Sequence, residues 1–140
     1  LEVDVHQSDH GFAKMSVTDR STRESTQVDV GFDPAMYAAI TMPIGPVRAL
    51  DDLAGDKLLA LFGRAAPRDF VDVHALRDHF TRRMLESLAA AKDLGFNLTV
   101  LRDAFGVIDY LPRSAFEVDD ATFDVLRTEF HSWRHEIGPD

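Results

Sequence analysis

The 140-residue sequence contains no cysteine. That rules out disulfide bracing and thiolate metal sites, and it suits a reducing cytoplasm. No apolar run approaches the roughly 18 residues needed to span a bilayer, no signal peptide is visible, and no membrane association is expected. There is no G-x-x-x-x-G-K-[ST] loop and no G-x-S-x-G elbow, so neither P-loop nor acyl-transfer chemistry is supported. Positive charge is also scarce. Fifteen Lys and Arg stand against twenty-four Asp and Glu, a net charge of −9, which argues against broad electrostatic binding to nucleic acid. No internal repeat or low-complexity segment occurs.

Hydrophobic residues make up 45% of the chain, enough for the core of one domain. Residues 1–49 read as β. Leu1–Gln7 alternates apolar and polar residues, the period of a half-buried strand. Ser8-Asp9-His10-Gly11 reads as a hairpin turn into a second strand, Phe12–Thr18. A third strand spans Thr26–Phe32 and is stopped by Asp33-Pro34. The three suggest an antiparallel meander, with Val28, Val30 and Phe32 on the core face and Asp29 on the other. Ile40–Pro43 reads as a short edge strand because of its proline.

Residues 50–140 read as helical. Met84, Leu85, Leu88, Ala89 and Leu94 mark one helix, stopped by Gly95. Asn97 caps a second, Leu98–Tyr110, ended by Pro112. Asp119 or Asp120 caps a third, Ala121–Ile137, whose Phe123, Leu126, Phe130, Trp133 and Ile137 fall at core spacing. The expected fold is α+β, a small antiparallel or mixed sheet followed by a C-terminal helical bundle. His131 and His135 are four apart, but no glutamate of the H-E-x-x-H kind lies between them and no third ligand is evident.

The most informative stretch is Leu50–Phe80, two short helices joined at Gly63-Arg64-Ala65-Ala66-Pro67. With Lys57 at zero on a wheel of about 100° per residue, Leu53 falls near −40°, Leu50 near +20°, Leu61 near +40° and Arg64 near −20°. Two cations therefore lie in the apolar arc, with Asp52, Gly55 and Asp56 on the far side. In the second helix Asp69 lines up with Val73, Leu76 and Phe80, with Asp72 on the flank. His74 points away and is expected to be exposed. A charge in a buried stripe is costly unless paired or solvated. One solution brings Lys57 and Asp69 together at the rim of a cleft. In another, Lys57 snorkels to water and the aspartates favour a helix N-terminus. From Arg64 to Arg83 five Arg stand against three Asp, which makes this the stretch best suited to phosphate contacts.

LDDLAGDKLLALFGR followed by APRDFVDVHAL resembles the last two motifs of the nucleotidyltransferase toxins of the AbiEii/AbiGii type, including the MenT-like toxins of toxin–antitoxin systems. The pattern is an apolar helix bearing Lys57 and closed by Arg64, then Arg68-Asp69-Phe70 with Asp72. The likeness reaches upstream to TQVDVGFDP and loosens after His79. It implies transfer of a nucleotide from an NTP to the 3′ end of tRNA, which blocks translation. It also implies a magnesium cofactor, a cognate antitoxin partner and a cytoplasmic location. Lys57, Asp69 and Asp72 would be catalytic, and Lys57, Arg64 and Arg68 would hold phosphate. Asp29 would stand near the metal.

The family's Gly-Ser turn and Asp-x-Asp pair, expected before a strand like Leu1–Gln7, are not found here, and the chain starts at Leu1 rather than Met. Three readings therefore stand. The chain is an NTP-dependent nucleotidyltransferase toxin or the C-terminal part of one, a non-catalytic relative that binds a partner protein or RNA, or a nucleotide-binding module that uses Lys57 without transfer.

Overall fold

A computed structural model of the chain describes residues 1–32 and 34–138; Asp33, half of the expected stop after the third strand, lies outside the described residues. By contacts the chain divides into Leu1–Ala35 and Met36–Asp140, so residues 36–49, read from sequence with the β part, are grouped with the helices.

The first unit is the expected meander. Strands β1 (Glu2–Asp9), β2 (Phe12–Thr18) and β3 (Ser25–Gly31) pair antiparallel in the order β1-β2-β3. The first turn has only two residues, His10 and Gly11, and Gly11 takes a positive φ (83°), which glycine adopts without strain. Val3 lies opposite Val17, Val5 opposite Met15, and Met15 opposite Val28, which places these apolar residues on one face. Lys14 faces Asp29 on the other. The register slips between Val5 and Gln7, a bulge at His6. One expectation is corrected. Val28 is half-buried, but Val30 is more than half exposed and Phe32 is 82% exposed. A single three-stranded layer has no second layer of its own to bury that face against.

The second unit opens with a hairpin of two short strands, β4 (Ile40–Met42) and β5 (Gly45–Val47). Five helices follow among the described residues: α1 (Leu50–Arg64), α2 (Pro67–Ala75), α3 (Arg82–Lys92), α4 (Leu98–Gly106) and α5 (Asp120–Ile137). Their starts follow the sequence. The Thr81 hydroxyl accepts from Met84 N–H, Asn97 from Thr99 and Val100 N–H, and Asp119 from Thr122 N–H. That settles the cap of α5 on Asp119. α4 ends at Gly106 and a 3-10 turn, Val107–Asp109, completes the expected span. α3 stops at Lys92, short of Gly95, which leaves Leu94 in solvent.

The core holds Leu58 and Leu61 of α1, Phe70 and Val73 of α2, Leu85 of α3, Leu101 and Phe105 of α4, and Leu126 and Phe130 of α5. Phe130 sits at its centre, edge-on to Phe70 with ring centroids 5.0 Å apart and 5.4 Å from Phe105. The α5 aromatics thus serve packing, as their spacing implies.

Helix α1 is rotated from its expected setting. Asp52 and Gly55, expected to face solvent, are buried, while Leu50 and Leu53 are exposed. The cause is the close approach of α3. A Cβ at Gly55 would stand 2.9 Å from Lys92 Cδ and 3.2 Å from the Leu88 carbonyl oxygen. The lysine can swing away but the backbone cannot. Gly55→Ala is therefore expected to cost about 1–3 kcal/mol, despite the higher helix propensity of alanine, and chemical denaturation would measure it.

Asp52 is compensated where it is buried. Its carboxylate accepts from Met36 N–H (3.0 Å), Tyr37 N–H (2.9 Å) and Lys92 Nζ (3.0 Å). Lys92 also bridges to Asp56, which Arg48 holds at 2.7 Å. The Met36 N–H outweighs burial and, with the Tyr37 N–H and Lys92, holds the Asp52 carboxyl down to about 2. A depressed carboxyl stabilises the fold above its unfolded value near 3.8 and loses that contribution as pH falls toward 2. In Asp52→Asn this part of the acid sensitivity should disappear, and the amides of Met36 and Tyr37 should exchange faster with solvent deuterium at neutral pH.

Candidate functional site

The turn between α1 and α2 is short and fixed. Ala65 takes a left-handed conformation (φ 47°, ψ 45°) and its N–H returns to the Leu61 carbonyl at 3.1 Å. Pro67 then occupies the first position of α2. Asp69, fully buried, closes the turn. Its Oδ2 accepts from Ala66 N–H (2.9 Å) and Arg64 Nε (2.8 Å), and its Oδ1 from Arg64 Nη2 (2.6 Å). Burial pushes the Asp69 carboxyl up. The Arg64 fork, the Ala66 N–H and the charges of Arg64 and Arg68 overcome that and hold it below its ordinary value. The bond to Asp69 in turn raises Arg64, with Asp72 adding to it through space. Arg64 is half exposed, and its Nη1 makes no bond among the described residues.

Lys57 meets Asp72, not Asp69. Its Nζ donates to Asp72 Oδ2 at 2.7 Å, and both side chains are 36% exposed. The expected partner was wrong because a wheel gives direction around a helix but not height along it. With only Ala65 and Ala66 between the helices, the residues nearest the turn pair first, Arg64 with Asp69. Lys57, two turns further back, reaches the more distant Asp72. The two ion pairs thus nest around one turn, one buried on its acidic side and one open to water.

Beside them lies a cavity of about 500 Å³, lined by Ala66, Pro67, Arg68, Val71 and Asp72 of the turn and α2, and by Ala115 and Glu117 from the segment before α5. Arg68 and Glu117 are exposed and make no hydrogen bond or ion pair among the described residues. The cavity carries Asp72 and Arg68 to a space of ligand size. A model of the nucleotidyl transferase AbiEii toxins of type IV toxin–antitoxin systems matches residues 2–135. The chain belongs to this family. No curated protein and no solved structure matches it.

In this AbiEii-family chain the structure brings together five of the six residues singled out from sequence: Lys57, Arg64, Arg68, Asp69 and Asp72. Asp29 lies on β3 in the first unit, exposed and opposite Lys14. Among the described residues no group of three or more His, Asp or Glu is placed to hold a metal, and each α2 carboxylate already accepts from a cation. Asp72 keeps one oxygen unbonded. That donor set fits a magnesium ion carried in on phosphates better than one caged by protein alone. No described helix is long and apolar enough to cross a membrane.

His74, expected to be exposed, is largely buried and bonds through Nδ1 to Glu129 of α5. An acidic residue of α5 lies over that position, which the α2 pattern alone could not reveal. His131 bonds Asp109 at 2.8 Å. Glu117 was missed because it follows Pro112 in irregular chain, where periodicity carries no information.

Proposed function

We propose that this chain carries the triphosphate-handling half of a nucleotidyltransferase toxin site. Lys57 is the cation for the NTP triphosphate, and Asp72 holds its ammonium at the cavity's edge until the anion arrives. Arg64, locked by Asp69 with Nη1 left open, and the exposed fork of Arg68 add planar donors for phosphate oxygens. Asp69 acts by positioning Arg64. The acceptor hydroxyl at the 3′ end of a tRNA attacks the α-phosphorus, and pyrophosphate leaves in line. The protein's task is mainly to place the groups and offset the charge that builds on the departing phosphates. Magnesium, when bound, would polarise the phosphate and lower the pKa of the attacking hydroxyl, with Asp72 as its candidate protein ligand. Modified tRNA would fail in translation, and a cognate antitoxin in the same cytoplasm would restrain the toxin.

The observation that carries this reading is the half-exposed Lys57–Asp72 pair beside a cavity that Asp72 and Arg68 line. A purely structural pair gains little from such exposure, whereas a ligand-binding cation needs it. The test is to give the protein labelled NTP, Mg²⁺ and tRNA and look for label at the RNA 3′ end, with tRNA lacking a free 3′ hydroxyl as the control. Labelling that persists in that control would overturn the assignment of the acceptor.

A second reading keeps the fold for binding a partner protein or RNA without transfer. In its favour, both α2 carboxylates are already neutralised by cations. Tight binding of tRNA or antitoxin with no label transferred, and no affinity for NTP, would establish it.

A further inference from the structure

Glu117 has no part in the reading above, yet its setting is unusually well braced for irregular chain. The preceding residue, Phe116, is buried, with its ring centroid 6.2 Å from Phe70 of α2 and 4.8 Å from Phe123 of α5. Arg113 clamps both flanking carbonyls, donating from Nη1 to Phe116 O at 3.1 Å and from Nη2 to Val118 O at 2.6 Å. The guanidinium is itself held by Asp120 and lies 4.9 Å over the Phe123 ring. The backbone of Glu117 is thus fixed against the same α2 that carries Arg68 and Asp72. Its carboxylate, unbonded among the described residues, lines the cavity they line.

We propose that Glu117 recognises the nucleoside portion of the NTP and sets nucleotide preference. This rests on the reading of Lys57 as the triphosphate cation. The cavity has a cationic contributor in Arg68 and two carboxylates, with apolar wall from Val71 and Ala115. Asp72 is already offset by Lys57 at 2.7 Å, whereas Glu117 has no such partner among the described residues, so a triphosphate is drawn to Arg68 and Lys57 and repelled by Glu117. An NTP therefore enters in one orientation, phosphates toward Arg68 and Lys57, nucleoside toward Glu117. An ionised carboxylate only accepts hydrogen bonds, so it favours a nucleoside that offers donors. Guanine presents two adjacent N–H groups to it, and the sugar presents its hydroxyls. Uracil presents a single N–H between two carbonyl oxygens that a carboxylate repels. Sites built around such donors discriminate strongly against analogues that lack them.

The experiment is calorimetric titration of the chain with the magnesium complexes of GTP, UTP, dGTP and inorganic tripolyphosphate, on wild type, Glu117→Gln and Lys57→Ala. Wild type should prefer GTP over UTP, or over dGTP, by at least about tenfold. The first preference assigns Glu117 to the base and the second to the sugar. In Glu117→Gln the preference should collapse to within about twofold while tripolyphosphate binds as before, since an amide offers both donor and acceptor. Glu117 is exposed, so the variant keeps the fold, and an unchanged melting curve confirms it. A preference that survives in Glu117→Gln, or its absence in wild type, overturns the proposal. So does weakened tripolyphosphate binding in Glu117→Gln, which would place the carboxylate on the cation instead. Unchanged tripolyphosphate binding in Lys57→Ala would defeat the triphosphate reading on separate grounds, and the nucleoside proposal with it.

Discussion

Lys57→Ala should lower 3′-end labelling by about a hundredfold or more and weaken affinity for the magnesium complex of the NTP at least about tenfold, while the protein melts within a few degrees of wild type. The two halves of this expectation have different causes. Transfer suffers because a point charge is removed from where phosphate charge accumulates, in a site that offers few other cations. Stability is spared because an ion pair in which each side chain is 36% exposed is worth about 1 kcal/mol or less. Lys57→Arg should recover only part of the activity, since a planar fork does not replace a compact ammonium. A quantitative labelling assay and a melting curve on the same preparations separate the two effects. A large drop in melting temperature with unchanged labelling would reverse the assignment and make Lys57 structural.

Asp69→Ala should do the opposite in stability. Asp69 is fully buried, and its removal leaves the Ala66 N–H and two Arg64 donors without their acceptor. Loss of a helix-start acceptor costs about 1 kcal/mol, and breaking a buried charged pair costs up to about 3–5 kcal/mol. Here Arg64 is half exposed and can return to water, which places the expected total at about 2–3 kcal/mol. Chemical denaturation measures it, and Asp72→Ala, at under about 1 kcal/mol, is the contrast. The pH dependence has a definite sign. Asp69 is held below the ordinary carboxyl value, so its contribution is present above that value and fades as pH falls through the lower, folded one. Asp69→Ala should therefore flatten the acid limb of the stability curve. Activity should fall too, through a disordered Arg64, and mainly as a raised KM if Arg64 binds the triphosphate equally in ground and transition states.

What the sequence made legible follows a physical line. Strands β1–β3, the cap at Asn97, the start of α5 to within one residue, and the core role of the α5 aromatics were readable because each depends on a local pattern or a single cap residue. That Lys57, Arg64 and Asp69 need partners close by was readable because charges inside an apolar arc have to be compensated, while Asp72, on the flank, was marked only by the family resemblance. What escaped depended on a neighbouring element. The partner of Lys57 was set by a two-residue turn that fixes height as well as direction. The burial of Asp52 and Gly55 was set by α3 coming close enough for Lys92 to reach a carboxylate forty residues upstream. Such an approach leaves only a faint mark, a glycine between two aspartates four apart. His74 was covered by Glu129 of α5. Glu117 was fixed by the clamp of Arg113, which no periodicity announces.

The most direct measurement is to assign the backbone amide resonances and follow them as the magnesium complex of an NTP is added. The account predicts saturable shifts at Lys57, Arg68 and Asp72 and at residues 115–117, lost in Lys57→Ala. Shifts confined elsewhere, such as the separate cavity lined by Arg102, Asp109, His131 and Arg134, with Lys57 and Asp72 undisturbed, would contradict it.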